Sequence, residues 1–152
     1  MSYVPPSWTL GGISMDKATQ YGAPHVGGFY SGEGVNTHKL KEGARCAVCG
    51  RRATNVHHEP QKGTSPYWGM QTDWGVFLLK PALIALCGSG TTGCHGDVHA
   101  GRVKLRWEWA DDETAERWFT GDLLAHGYEP HDEHFREMGR WTVTENGETR
   151  PL

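Results

Sequence analysis

The clearest alternation in the chain is Val103-Lys104-Leu105-Arg106-Trp107-Glu108-Trp109, where apolar and charged side chains take turns. A period of two predicts a half-buried strand with Val103, Leu105, Trp107 and Trp109 on its inner face. Farther on, Ala115, Trp118, Phe119 and Leu123 form an apolar stripe at helical spacing. They predict a helix capped by Asp111 or Asp112, running to about Ala125 and stopped at Gly127. The aromatics of that stripe read as core rather than as a platform for stacking bases. Residues 139–149 predict a terminal β-hairpin turning at Asn146-Gly147. Upstream, residues 53–59 carry the β-branched Thr54 and Val56 and predict a short strand leading into Pro60. Residues 76–86 are apolar except for Lys80, and predict a second strand or a buried segment broken by Pro81. Between them, residues 62–75 hold Gly63, Pro66 and Gly69 and read as a loop. Residues 1–37 contain Pro5, Pro6, Pro24 and seven glycines with no sustained period, the pattern of an extended or mobile arm. No internal repeat is visible.

At 152 residues one domain is the expectation. A hydrophobic content of 37% with 21 glycines is lean, so part of the chain is expected to pack on metal rather than on a large apolar core. No apolar run approaches the ~18 residues of a membrane span, and no charged-then-apolar leader opens the chain. A soluble, cytoplasmic protein with no membrane partner is expected. The net charge of -3 speaks against a nucleic-acid partner until it is divided along the chain. Residues 38–106 hold ten Lys/Arg against four Asp/Glu, a balance of +6, whereas residues 107–152 hold four against twelve, a balance of -8. The positive charge therefore surrounds the cysteines and histidines, where a phosphate backbone would lie.

Those residues are concentrated. Four cysteines (Cys46, Cys49, Cys87, Cys94) and four histidines (His57, His58, His95, His99) fall within residues 46–99, enough for two metal sites. A short helix is expected to begin near Thr92 or Gly93, and there His95 and His99, four apart, share a face and can reach one ion. The cysteine arrangement could also make two disulfides, but the missing leader and the interleaved histidines favour zinc. His57 and His58 are adjacent on a predicted strand, so they face opposite sides. Cys46-Ala47-Val48-Cys49-Gly50 is similar to a zinc knuckle, in which glycine lets backbone N–H groups point at the thiolates. Arg51 and Arg52 follow it, placed either to touch phosphate or to offset thiolate charge. His25 and His38 lack ligand spacing and are expected to face solvent.

Cys-x-x-Cys, then Val-His-His-x-Pro, then Leu-Cys…Cys-His-x-x-x-His resembles the HNH (ββα-metal, His-Me finger) nucleases, most closely the small forms of phages and prophages. The run Ala85-Leu86-Cys87-Gly88-Ser89-Gly90-Thr91-Thr92-Gly93-Cys94-His95-Gly96 is similar to a phrase common in them. The resemblance covers about residues 46–101. It implies an α+β fold: a small ββα-metal core clamped by a four-cysteine zinc site, with a C-terminal α+β extension. Residues 1–37 would be the arm, 38–106 the zinc-clamped nuclease core, and 107–152 the acidic extension. Cys46, Cys49, Cys87 and Cys94 would hold structural Zn²⁺. His57, His95 and His99 would hold a catalytic divalent ion such as Mg²⁺, Mn²⁺, Ni²⁺ or Zn²⁺, and His58 would be the general base.

The activity so implied is metal-dependent endonucleolytic cleavage of DNA, leaving 5′-phosphate and 3′-hydroxyl ends. Arg102, Lys104 and Arg106 join Arg51 and Arg52 as candidates for phosphate contact, although 102, 104 and 106 could equally be solvated strand positions. Phage packaging proteins are further expected partners, and a bacterial host cytoplasm the expected compartment. One position departs from the family pattern. Ala82 stands where an asparagine usually braces the loop or assists at the metal, and Asp73 or Asn55 could substitute. The alternative is therefore a zinc-stabilised DNA-binding or phage assembly module with weakened catalysis.

Overall fold

The computed structural model describes residues 20, 23–29, 39–59, 68–72, 75–79, 82–117 and 137–152. Their elements in chain order are β1 (Asn55–Glu59), β2 (Trp68–Thr72), β3 (Gly75–Leu79), β4 (Ala82–Leu86), α1 (Gly93–His99), β5 (Val103–Trp109), α2 (Asp112–Arg117), β6 (Gly139–Glu145) and β7 (Glu148–Pro151). The fold is α+β. β1 pairs with β4, β2 with β3, and β5, β6 and β7 form a three-stranded sheet in that order. Packing divides the chain into two compact units, one of residues 25–59, 83–106 and 141–152 and one of residues 1–24, 60–82 and 107–140.

In the first unit the lack of alternation in β4 has a direct cause: every one of its five residues is buried. One edge of the strand meets β1, where Thr54 N–H donates to the Leu86 carbonyl at 3.0 Å. The other edge meets Val26 in a parallel bridge, with Val26 N–H donating to Leu83 O at 2.8 Å and Ala85 N–H to Val26 O at 2.9 Å. Val26, part of the expected arm, thus bridges the second edge of β4. His25 does not simply face solvent: it is half-buried, and its Nδ1 accepts the Leu83 N–H at 2.8 Å. The reason is local, since a β4 backbone donor on that edge needs an acceptor. His38 lies outside the described residues. One apolar cluster here packs Ala44, Ala53 and Ala85 with Phe29 and Leu40.

The terminal hairpin forms as its sequence predicts. Glu145 pairs with Glu148 across Asn146 and Gly147, whose φ values of 53° and 77° are those of a primed two-residue turn. Arg150 Nη2 donates to the Val48 carbonyl at 3.0 Å and so ties this hairpin to the first cysteine turn. β5 alternates as expected, with Val103, Leu105 and Trp107 buried and Lys104 exposed.

In the second unit β2 and β3 are an antiparallel hairpin, in register from Trp68↔Leu79 to Thr72↔Gly75. Over residues 68–72 this corrects the loop expected for 62–75; residues 62–67 and 73–74 lie outside the described residues. Gly69 inside β2 imitates a breaker and hides the strand. The buried Gln20 side chain extends the local ladder, donating to Trp107 O at 3.1 Å and accepting from Trp107 N at 2.7 Å. Asp111, not Asp112, caps α2: its Oδ1 accepts the Thr114 N–H at 2.7 Å. The remainder of the predicted helix, with Trp118, Phe119, Leu123, Ala125 and Gly127, lies outside the described residues. Among the described residues no helix is long and apolar enough to cross a membrane.

Because Ile84 is fully buried at the centre of β4, Ile84→Ala should cost about 2–5 kcal/mol of stability in urea titrations. Lys104→Ala, on the exposed face of β5, should stay within about 0.5 kcal/mol of the wild type. Equal small losses from both would contradict the central place of β4.

Candidate metal centre

Two turns bring the cysteines together. In the first, Gly50 N–H donates to Cys46 O at 2.9 Å and Cys46 N–H to Arg51 O, while Arg45 and Arg52 form a short bridge. In the second, Gly88 (φ 86°) and Gly93 (φ 63°) touch so closely that a Cβ on Gly93 would lie 2.8 Å from the Gly88 Cα. Only glycine permits both that approach and those dihedrals. The loop closes through Ser89 N–H to Thr92 O at 3.0 Å, and it delivers the chain into α1 with Thr92 as N-cap.

The Sγ atoms of Cys46, Cys49, Cys87 and Cys94 all lie within 4.8 Å of one another. All four are free thiols. The Cys49–Cys87 separation is 3.6 Å, well beyond the ~2.05 Å of a disulfide. Four sulfurs each about 2.3 Å from a zinc ion would sit roughly 3.8 Å apart, so the arrangement is compatible with a tetrahedral zinc site. The thiols also influence one another. Burial raises Cys46, but hydrogen bonds from the backbone of Cys49, Cys87 and Val48 overrule it and bring the thiol down to about 7. Burial and the neighbouring thiols of Cys87 and Cys49 push Cys94 well above the ordinary thiol range. Burial raises Cys49 as well, helped by Cys46 and Cys87.

Beside Cys94 in sequence, α1 presents His95 and His99. Their ring centroids are 4.6 Å apart, and His57 of β1 completes a trio at 5.3 and 5.6 Å from them. One nitrogen from each ring lies within 4.8 Å of the other two. His57 is 1% exposed and His95 8%. The trio is held from outside. His95 Nδ1 meets Asn55 Oδ1 at 3.1 Å, and since the amide oxygen only accepts, Nδ1 carries the proton. His95 Nε2 is then the acceptor in its 2.9 Å contact with His99 Nε2. His57 Nε2 meets Glu59 Oε2 at 2.9 Å.

The sequence-based set of ligands is therefore gathered into two clusters, four thiols and three imidazoles. His58 lies outside the trio; it is half-buried, with its Nε2 shielded from solvent. Arg51, Arg52 and Lys104 are exposed, and Arg106 is half-buried. Arg102 is exposed but engaged, its guanidinium 3.0 Å from Asp97 Oδ1. Of the two residues proposed to replace the missing asparagine, Asn55 is the one bonded to His95, and Asp73 lies outside the described residues. Ala82 is fully buried at the start of β4. Sequence reasoning missed Glu59 altogether. The signal was the period of two, which puts Asn55, His57 and Glu59 on one face of β1. No family model, curated protein or solved structure matches the chain.

The trio has a predictable pH response. Burial, followed by the proximity of His57 and His99, lowers His95 from 6.5 to about 4. The folded-state value lies below the unfolded one, so the unfolded chain binds more protons between them. Stability is complete above about pH 6.5 and is lost as pH falls towards 4. Denaturant titrations at pH 7 and pH 5 should show wild type losing about 2 kcal/mol more than His95→Gln, which has no imidazole to protonate. The comparison cancels acid effects shared by both proteins, including those on the thiols. Equal losses would show that His95 titrates normally.

Proposed function

We propose that this chain is a metal-dependent DNA endonuclease of the HNH type, built on a ββα-metal core of β1, β4 and α1. The observation that carries the reading is the pair of clusters joined at Cys94 and His95, consecutive residues of one short helix. Their chemistry differs in the way structural and catalytic sites differ. Four thiolates close a tetrahedral site, whereas three imidazoles leave positions open. The β2–β3 hairpin is an insertion between the two core strands.

In this reading Cys46, Cys49, Cys87 and Cys94 hold a structural zinc ion. His57, His95 and His99 hold a divalent ion such as Mg²⁺, Mn²⁺, Ni²⁺ or Zn²⁺. When bound, that ion supplies charge neutralisation at the scissile phosphate and the leaving oxygen. His58, on the other face of β1, takes the proton of the attacking water as the new bond to phosphorus forms. The P–O3′ bond breaks and the departing O3′ takes a proton from solvent water, leaving a 5′-phosphate and a 3′-hydroxyl. Neutral imidazole, with an ordinary pKa of about 6.5, suits this task near physiological pH. The exposed Arg51, Arg52 and Lys104 are available to phosphates, with Arg102 and Arg106 beside them in sequence. The balance of -8 over residues 107–152 fits a protein partner, such as phage packaging proteins, better than a phosphate path.

Ala82 favours a second reading, a zinc-stabilised DNA-binding or phage assembly module with weakened catalysis. Its burial leaves no amide at the position where the family carries asparagine. The Asn55 amide on His95 weakens that objection, because an amide does brace the trio.

Elemental analysis of the purified chain should find one tightly held zinc per molecule that mild chelation leaves in place, and Cys46→Ser should be insoluble or molten. A zinc-free protein with two disulfides by mass spectrometry would rule the clamp out. Plasmid cleavage with saturating Mg²⁺ or Mn²⁺ separates the enzyme from the binding module. His58→Ala should lower the rate about 10²–10⁴-fold with metal and DNA binding near wild type. His57→Ala should weaken metal binding by calorimetry, with cleavage partly restored by excess metal. Full cleavage by His58→Ala would remove it as the base.

A further inference from the structure

Three alternate residues of β1 share one face, Asn55, His57 and Glu59, and only the middle one belongs to the imidazole trio. The outer two each touch a ring of the trio through an oxygen. Asn55 Oδ1 is 3.1 Å from His95 Nδ1, and Glu59 Oε2 is 2.9 Å from His57 Nε2. Asn55 also donates from Nδ2 to the Thr54 carbonyl at 2.8 Å, which fixes its amide with the oxygen towards His95. Glu59 is 19% exposed while His57 is 1% exposed, so the carboxylate sits at the rim and the ring beneath it is sealed.

A ring nitrogen that donates to an oxygen cannot also present a lone pair to an ion. The partner on one nitrogen therefore decides which nitrogen is left for metal. We propose that Asn55 and Glu59 are positioning residues that select opposite tautomers in the two rings, so that His95 meets a divalent ion through Nε2 and His57 through Nδ1. One strand face would thus supply a ligand and both of the groups that orient ligands, the carboxylate on the strand's own histidine and the amide on the helix's. A carboxylate also holds a donated N–H more strongly than a neutral amide does, because that hydrogen bond is charge-assisted. The inference rests on the reading of His57, His95 and His99 as metal ligands.

The experiment is long-range ¹H–¹⁵N spectroscopy of histidine-labelled protein with its thiol site zinc-loaded, before and after one further equivalent of Zn²⁺. His57 should carry its proton on Nε2 and His95 on Nδ1 in both states. The added Zn²⁺ should shift His57 Nδ1 and His95 Nε2. In calorimetry Glu59→Ala should weaken that second equivalent about 10- to 100-fold and release His57 from its single tautomer. Glu59→Gln, whose side-chain oxygen still accepts, should restore the tautomer. Asn55→Ala should free His95 in the same way without affecting His57.

A His57 metallated at Nε2, or unchanged Zn²⁺ affinity in Glu59→Ala, would overturn the proposal while leaving the three-histidine site intact. If calorimetry registers no second equivalent and no imidazole resonance moves, the three-histidine reading itself fails, and this inference with it.

Discussion

Four sulfur atoms within 4.8 Å of one another cannot all be thiolates unless a cation lies among them, because like charges at such distances repel strongly. The protein's own groups go only part of the way. Backbone donors favour the thiolate of Cys46, while Cys49 and Cys94 are driven towards the neutral form. A bound zinc ion would reverse that preference at once, since coordination requires and stabilises the deprotonated sulfur. Such a clamp would add to the apolar packing beside the two turns, where Val48 and Leu86 are buried and Ala44, Ala53 and Ala85 pack with Phe29 and Leu40.

The consequence reaches the histidines through α1. A seven-residue helix has no independent stability, and Thr92 makes no side-chain capping bond. Buried Val98 and the Asn55 amide on His95 hold its body, and its start is held by the thiol loop: His95 N–H donates to Cys87 O at 3.0 Å, Cys94 N–H meets Cys87 Sγ at 3.4 Å, and Gly88 touches Gly93. The contacts at the start involve the segment that carries two of the four thiols. The positions of His95 and His99 therefore depend in part on the order of the thiol cluster, and the two clusters are not independent of one another.

How much could be read beforehand follows from where each feature is encoded. Ligand spacings, the Asn146-Gly147 turn, the β5 alternation and the start of α1 are local, so a few consecutive residues specify them. The residues that orient the ligands are not local. Asn55 finds His95 across 40 positions, and nothing in the sequence chose between it and Asp73. Glu59 is close to His57 in sequence, but it was hidden by its own ordinariness, a charged residue before a proline. β2 was obscured because Gly69 looks like a breaker while pairing with Leu78 makes it part of a ladder. The role of His25 is not local either, since the β4 donor that it satisfies lies 58 residues away.

The strand β1 concentrates these dependences in five residues. Its pleat places Asn55, His57 and Glu59 on one side and Val56 and His58 on the other. A slip of one residue would exchange the faces, putting His58 among the ligands and removing both orienting oxygens. Register is consequently as important to the proposed chemistry as the identity of any side chain. It is set just before the strand begins. Thr54 bonds β4 through its backbone, N–H to Leu86 O at 3.0 Å, and the loop beyond β4 through its hydroxyl, Oγ1 to Gly88 O at 2.8 Å. The second bond lands next to Cys87. Thr54 thus couples the phase of β1 to the same glycine-rich loop that positions α1, so the strand and helix ligands are indexed to one another from a single point.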